Sequence, residues 1–191
     1  MEKRKAKRHE KLKEYLTENA FFTDEQLAEK LGVSVQTIRL DRIRLNIPEL
    51  RERMKSMARN ASTKLKAIAS NDIVGDLIDL DLGISGVSVL TITSDMVNNN
   101  MGIARGNYMF AQANSLALAL VDAPAALTGV ANIKYKKPVY LGERLIAKAK
   151  INRIRGNKYF VAVNIRNDES EVFRAKFIIV SLEKDEERGL K

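Results

Sequence analysis

The chain has 191 residues, 45% apolar and 30% charged, a length and balance that suit one ordinary domain or two small ones and exclude disordered and fibrous classes. It has no cysteine and a single histidine, His9. Disulfides, thiolate nucleophiles, Cys or His metal clusters and hydrolases built on Ser-His or Cys-His pairs are therefore not expected. The start, MEKRKAKRHEKLKEY, lacks the apolar core of a secretory signal, and no run reaches the roughly 18 apolar residues of a membrane span. A cytoplasmic protein with no membrane contact is expected.

The net charge of +9 is unevenly placed: residues 1–70 carry 17 Lys and Arg against 10 Asp and Glu, and residues 71–191 carry 16 against 14. A basic first third points to a polyanion, because each cation near a phosphate releases condensed counterions. A merely solvated basic face is the alternative.

Residues 3–19 read as a helix with Leu12, Tyr15 and Leu16 on one face. Thr23-Asp24-Glu25-Gln26 has the spacing of a capping box for a second helix, which supplies Leu27, Ala28 and Leu31 inward and stops at Gly32. Gly32-Val33-Ser34 is then a tight turn with Ser34 as N-cap, and residues 35–45 form a third helix with Val35, Ile38 and Ile43 inward. That leaves Gln36, Thr37, Arg39, Arg42 and Arg44 outside. In LGVSVQTIRLDR the chain resembles the DeoR-like helix-turn-helix regulators. The resemblance implies that Gln36 and Arg39 face base edges while Ser34 and Thr37 meet phosphates.

Pro48 suits the first turn of a fourth helix, along which Leu50, Met54, Met57, Ala61, Leu65 and Ile68 recur at steps of three or four. Its other face carries Arg51, Glu52, Arg53, Lys55, Arg59, Lys64 and Lys66, whose cations a DNA backbone can use. Such a stripe also suits a dimer seam or a docking face. Ser70-Asn71-Asp72 marks the end of this connector.

Beyond it the period changes to two, at residues 77–82, 86–93, 133–135, 144–154, 158–166 and 172–182, with short turns between the late strands. These read as an antiparallel sheet. Residues 108–121 form one helix, apolar nearly all round, so the sheet is expected to wrap it. Between Ala67 and Ile133 the only basic residue is Arg105, set among apolar or small neighbours after Asp72, Asp76, Asp79, Asp81 and Asp95. A guanidinium buried there needs a partner, either one of those carboxylates or the anion of a ligand.

One helix inside a long antiparallel sheet resembles the hotdog fold of small acyl-CoA thioesterases, through ARGNYMFAQANSLALA and VANIKYKKPVYLGERLIAKAKI. Matched by position, Arg105 takes the place of that superfamily's His, Gly106 of its first Gly, and Asn114 of its catalytic carboxylate. A neutral amide neither attacks a thioester nor acts as general base. With Gln112 neutral too, the resemblance implies a site that binds an acyl thioester and leaves it intact. Ordinary buried amides are the alternative for both residues.

The order of helix-turn-helix (residues 1–46), amphipathic connector (47–71) and hotdog module (72–191) makes an α+β chain similar to the FapR family, malonyl-CoA-responsive repressors of bacterial fatty-acid and phospholipid synthesis genes. VSVQTIRLDR, LNIPELRER and IARGNYMFAQANSLA carry the likeness, which covers nearly the whole chain. It implies a homodimer on double-stranded operator DNA, released by malonyl-CoA or malonyl on acyl carrier protein, with neither cofactor nor enzymatic activity. Arg105 would meet the malonyl carboxylate, and acetyl-CoA would leave it unpaired. Gly106, Gln112 and Asn114 would surround the thioester. Phe110 would line the acyl end or the core, Asn98 would belong to the loop before the Arg, and Lys134 would meet the coenzyme phosphates. An acyl-CoA thioesterase with a DNA-binding head is the alternative, for which Asp122 is the nearest carboxylate. A sugar-phosphate-responsive regulator would need a doubly wound effector domain, against which the antiparallel periodicity stands.

Overall fold

A computed structural model describes residues 2–98 and 100–182. The chain divides into two compact units that meet in sequence at Ser56 and Met57.

The first unit is a small helical bundle of α1 (Glu2–Glu18), α2 (Asp24–Leu31) and α3 (Val35–Arg44). Leu12, Leu27, Ala28 and Ile38 are its buried core. Thr23 and Gln26 exchange the two expected capping bonds at the start of α2, and Gly32 ends that helix with φ 63°, a left-handed conformation that costs glycine little. Ser34 caps α3, its side-chain oxygen accepting from Thr37 N at 3.2 Å.

The inward row of α3 differs from the expected one. Ile43, expected inside, is 73% exposed, and Arg42, expected outside, is 3% exposed. The row is Val35, Ile38, Arg42 and Leu45. A guanidinium occupies a core slot because Asp24, in the first turn of α2, accepts from its Nε and Nη2 at 2.7 and 2.8 Å, while Nη1 donates to the Ile47 carbonyl at 3.2 Å. Next to it Asp41, 1% exposed, accepts from Arg8 Nε at 2.6 Å and lies 2.9 Å from His9 Nε2. Burial opposes ionisation of Asp41, but the bonds from Arg8 and His9 outweigh it and hold the carboxyl below its ordinary value.

Helix α4 (Leu50–Ser62) stops short of the expected Ile68. Thr63 Oγ1 donates back to the Asn60 carbonyl, and the amides of Lys64 and Leu65 close the last turn onto Ala61 and Ser62. Lys64 Nζ then donates to the Leu80 carbonyl, and Leu65 and Ala67 pack on the core of the second unit.

That unit is a six-stranded antiparallel sheet around α5 (Gly106–Ala119). The strands are β1 (Asp76–Asp81), β2 (Ser85–Thr91), β3 (Ala125–Tyr135), β4 (Arg144–Arg155), β5 (Lys158–Arg166) and β6 (Glu171–Leu182), in the spatial order β1-β2-β4-β5-β6-β3. This is the hotdog arrangement that the periodicity and the resemblance point to. Met109, Ala113, Leu116, Ala117 and Ala119 of α5 are buried against Leu145, Val163, Phe173 and Phe177 among others, which explains why this helix is apolar on nearly every face. Strand β3 is eight residues longer at its start than the three expected (133–135). It lies at the sheet edge, most of its side chains are exposed, and a register shift between Thr128 and Val130 breaks the alternation that marks a half-buried strand.

Candidate functional site

The outer face of α3 presents Gln36 and Arg39, both exposed, with Arg44 on its flank. Arg39 is 56% exposed and its Nε lies 3.6 Å from an Asp24 oxygen, a distance that leaves the side chain available to a partner in solvent. The hydroxyls of Ser34 and Thr37 bond each other at 2.9 Å at the helix start. Both therefore stabilise the N-terminus of α3, whose free amides suit a phosphate.

Two arginines expected to meet DNA have internal roles in this unit. Arg42 is the buried partner of Asp24. Arg53, half-buried, donates to the carbonyls of Phe22 at 3.0 Å, Pro48 at 2.7 Å and Ala20 at 3.3 Å. Burial first and the charge of Arg42 second lower the pKa of Arg53. Periodicity hides both roles, since it sorts arginine with surface residues. Arg51, two positions earlier, is exposed.

In the second unit Arg105 is the N-cap residue of α5. It is exposed, not buried as its apolar neighbours in the sequence suggested, so the desolvation cost that would have demanded an anion does not arise. Its Nη2 donates to the Asp95 main-chain carbonyl and, at 3.0 Å, to the Tyr108 hydroxyl, and the guanidinium lies 5.3 Å from the Tyr108 ring centroid. No described carboxylate forms an ion pair with it. The Asp95 carboxyl turns to Thr93 Oγ1 at 2.5 Å, and that bond, its own backbone amide and the nearby Arg105 charge hold it below its ordinary value. Arg105 is thus oriented through one nitrogen, while Nε and Nη1 have no bonded partner among the described residues.

Gly106 follows, and its tight neighbour is Tyr135: a Cβ placed there would meet the Tyr135 ring at 2.9 Å, and the Tyr135 hydroxyl donates to the Gly106 carbonyl at 3.0 Å. The absent side chain makes room for the aromatic ring of β3. Tyr135 packs edge-on against Phe173 at 5.1 Å, which fixes the ring. Neither Tyr108 nor Tyr135 was singled out from the sequence. Tyr108 lies three residues beyond Arg105, one helical turn away, and that spacing was the available signal.

The structure separates the remaining expected residues. Gln112 is fully buried; its Nε2 donates to the Ser88 carbonyl at 3.3 Å and the Leu145 carbonyl at 3.4 Å, and its Oε1 has no partner among the described residues. It ties α5 to β2 and β4. Asn114 points the other way, accepting at Oδ1 from Thr128 Oγ1 at 2.6 Å, and with Phe110 it lines a cavity of about 420 Å³ also bounded by Ala67, Ile68, Val74, Leu118 and Ala126. Arg105 does not line this cavity. Asn98, exposed, holds the loop before Arg105 by accepting from Asn100 N at 3.0 Å at its side chain and from Gly102 N at its carbonyl. Lys134 is exposed on β3. Asp122, the carboxylate a thioesterase would have to recruit, lies beyond the far end of α5 and is bonded to Lys66 Nζ at 2.6 Å.

Residues 8–59 match the DeoR-like helix-turn-helix domain, and residues 103–173 match the thioesterase superfamily. The second match spans α5, β3, β4, β5 and the start of β6. A solved structure of an uncharacterized protein from Pyrococcus horikoshii is 32% identical and superposes with a TM-score of 0.56 over 59% of this chain and 85% of that one. Several relatives bear the name transcription factor FapR. The one from Caldanaerobacter subterraneus subsp. tengcongensis is 57% identical over 95% of this chain and 90% of its own length, and the one from Bacillus subtilis is 43% identical over 93% and 96%. Those proteins are named as transcription factors, not as enzymes, and no helix among the described residues is long and apolar enough to cross a membrane. With a DNA-binding head and a hotdog module both present along an alignment of nearly full length, the chain belongs to the FapR family of transcription factors.

Proposed function

We propose that this protein is a cytoplasmic repressor of fatty-acid and phospholipid synthesis genes that grips operator DNA as a homodimer and lets go when malonyl-CoA, or malonyl on acyl carrier protein, occupies the hotdog module. The observation that carries the effector assignment is the Arg105 guanidinium, held by Nη2 at the start of α5 with Nε and Nη1 left to donate. A malonyl thioester differs from an acetyl thioester by a terminal carboxylate, a group that a guanidinium with free N–H groups recognises with charge-assisted bonds. The amides at the start of α5 are donors for the thioester oxygen. Lys134 is the cation assigned to the coenzyme phosphates. Asn114, on the cavity that Arg105 does not line, is a neutral amide and supplies no base for hydrolysis.

Dimerisation is supported by β3. Its eleven residues form an outer edge of the sheet, with Leu127, Val130 and Tyr135 each about half exposed. An unpaired edge of that length and character is a template for a second strand, and a two-fold pairing of identical edges closes on itself. The connector, residues 47–71, is the natural transmitter between effector module (72–191) and DNA head (1–46), and a shift from mostly bound to mostly released requires about 5.5 kcal/mol of differential ligand affinity.

The test is a titration of the full chain on its operator with malonyl-CoA and acetyl-CoA, followed by gel shift and calorimetry. Release by malonyl-CoA alone supports the proposal. Release by both coenzymes, or liberation of free CoA, refutes it.

A further inference from the structure

The outer face of α3 carries two apolar side chains that the bundle does not use. Leu40 is 49% exposed and Ile43 73%. Three residues apart, they share one face of the helix with Gln36 and Arg39, and Arg44 lies at the edge of that face. The inward face is already filled by Val35, Ile38, Arg42 and Leu45, so neither residue is needed for packing. Single exposed hydrophobics are ordinary. Here two adjoin on one face with Gln36 and Arg39, on a helix of ten residues.

The flanking groups select what covers them. A protein helix laid on this face would have to strip water from the guanidinium groups of Arg39 and Arg44, which among the described residues only Asp24 approaches, and then at 3.6 Å from Arg39 alone. A DNA major groove supplies base edges to Gln36 and Arg39, flanking phosphates to Arg44, and one apolar group, the C5-methyl of thymine, which no other standard DNA base carries. We propose that Leu40 and Ile43 are thymine-reading residues: they pack on C5-methyl groups in the major groove and add apolar discrimination to the hydrogen bonds of Gln36 and Arg39. The proposal rests on the DNA-binding role of α3 and names the chemistry that role uses.

The experiment takes the full chain and the duplex it enriches from a random-sequence pool, then replaces each thymine by uracil, which removes one methyl and nothing else. Substitution at one or two thymines per recognition helix weakens binding about fourfold, the loss corresponding to about 0.8 kcal/mol for one buried methyl. In Leu40→Ala or Ile43→Ala, confirmed as folded by an unchanged melting temperature, the same uracil costs less than 1.5-fold, because its apolar partner is gone. Arg51→Ala, which removes a phosphate contact, weakens thymine and uracil duplexes alike and keeps the fourfold ratio. Equal affinity for uracil at every position, or a penalty that persists in the double Leu40→Ala, Ile43→Ala variant, overturns the proposal. A pool that yields no preferred sequence overturns the sequence-reading role of α3 itself, and this assignment with it.

Discussion

Replacing Arg42 by alanine decides whether this cation serves the fold or the DNA. Its side chain is 4% exposed and bonds Asp24 through two nitrogens and the Ile47 carbonyl through a third. The substitution leaves the Asp24 carboxylate, itself 16% exposed, with Arg39 at 3.6 Å as its nearest cation. Breaking one side of a buried pair costs about 3 to 5 kcal/mol, and the partial exposure of Asp24 places this case at about 2 to 4. A unit that ends at Ser56 has a total stability of about 3 to 8 kcal/mol at 0.05 to 0.15 per residue. Arg42→Ala is therefore expected to unfold much of the head while the hotdog unit, with its own core, stays folded. Urea titration followed by far-ultraviolet circular dichroism reads this as an early transition of helical amplitude, and limited proteolysis cuts within the first 56 residues. The paired change Arg42→Met with Asp24→Leu should recover most of the lost stability, because it removes both charges at once. If Arg42→Ala leaves the unfolding midpoint of the head unchanged and weakens only DNA binding, the buried-pair argument fails and the residue is a DNA contact.

Four further outcomes are expected. Arg105→Ala, at an exposed position, shifts stability by less than about 0.5 kcal/mol; by calorimetry it weakens malonyl-CoA roughly 10- to 100-fold, the worth of a charged hydrogen bond, and leaves acetyl-CoA unaffected. Gly106→Val drives side-chain atoms into the Tyr135 ring and should cost about 1 to 3 kcal/mol in thermal unfolding of the hotdog unit; combining it with Tyr135→Ala should relieve most of that loss, and no relief would refute the contact. Arg39→Ala should reduce preference for operator over random DNA by about 1 to 3 kcal/mol without a change in melting. The fourth concerns acid. Asp41 is held below its ordinary pKa in the folded head, so it binds fewer protons folded than unfolded, and its contribution is fully present above about pH 4 and lost as the pH falls below. The stability gap between the wild-type chain and Asp41→Asn should be widest at neutral pH and close in acid; a gap that does not change with pH would refute the network.

Much of the fold was legible because it follows from local chemistry. Thr23, Gln26 and Gly32 announce the limits of α2 through groups that satisfy its ends, and the all-round apolarity of residues 108–121 announces a wrapped helix. What escaped depends on distant partners. Arg42 reads as surface until Asp24, eighteen residues earlier, is brought beside it. Strand β3 escaped because most of its side chains are exposed and the register shift between Thr128 and Val130 breaks its alternation. Of the candidate site, Arg105, Gly106 and Asn114 stand out in the sequence by their neighbours, but the exposure of the guanidinium, the ring seated on Gly106 and the opposite directions of Gln112 and Asn114 arise from chain segments that meet only on folding.

The burial of Arg42 separates two kinds of selection along a single short helix. Because the scaffold is locked by positions 35, 38, 42 and 45, the intervening side chains at 36, 39, 40 and 43 are free to drift without unmaking the head. On the proposed reading of this face, operator preference is thus evolvable at low thermodynamic risk, and new binding sequences are reachable through single exchanges outside the row that holds the head together.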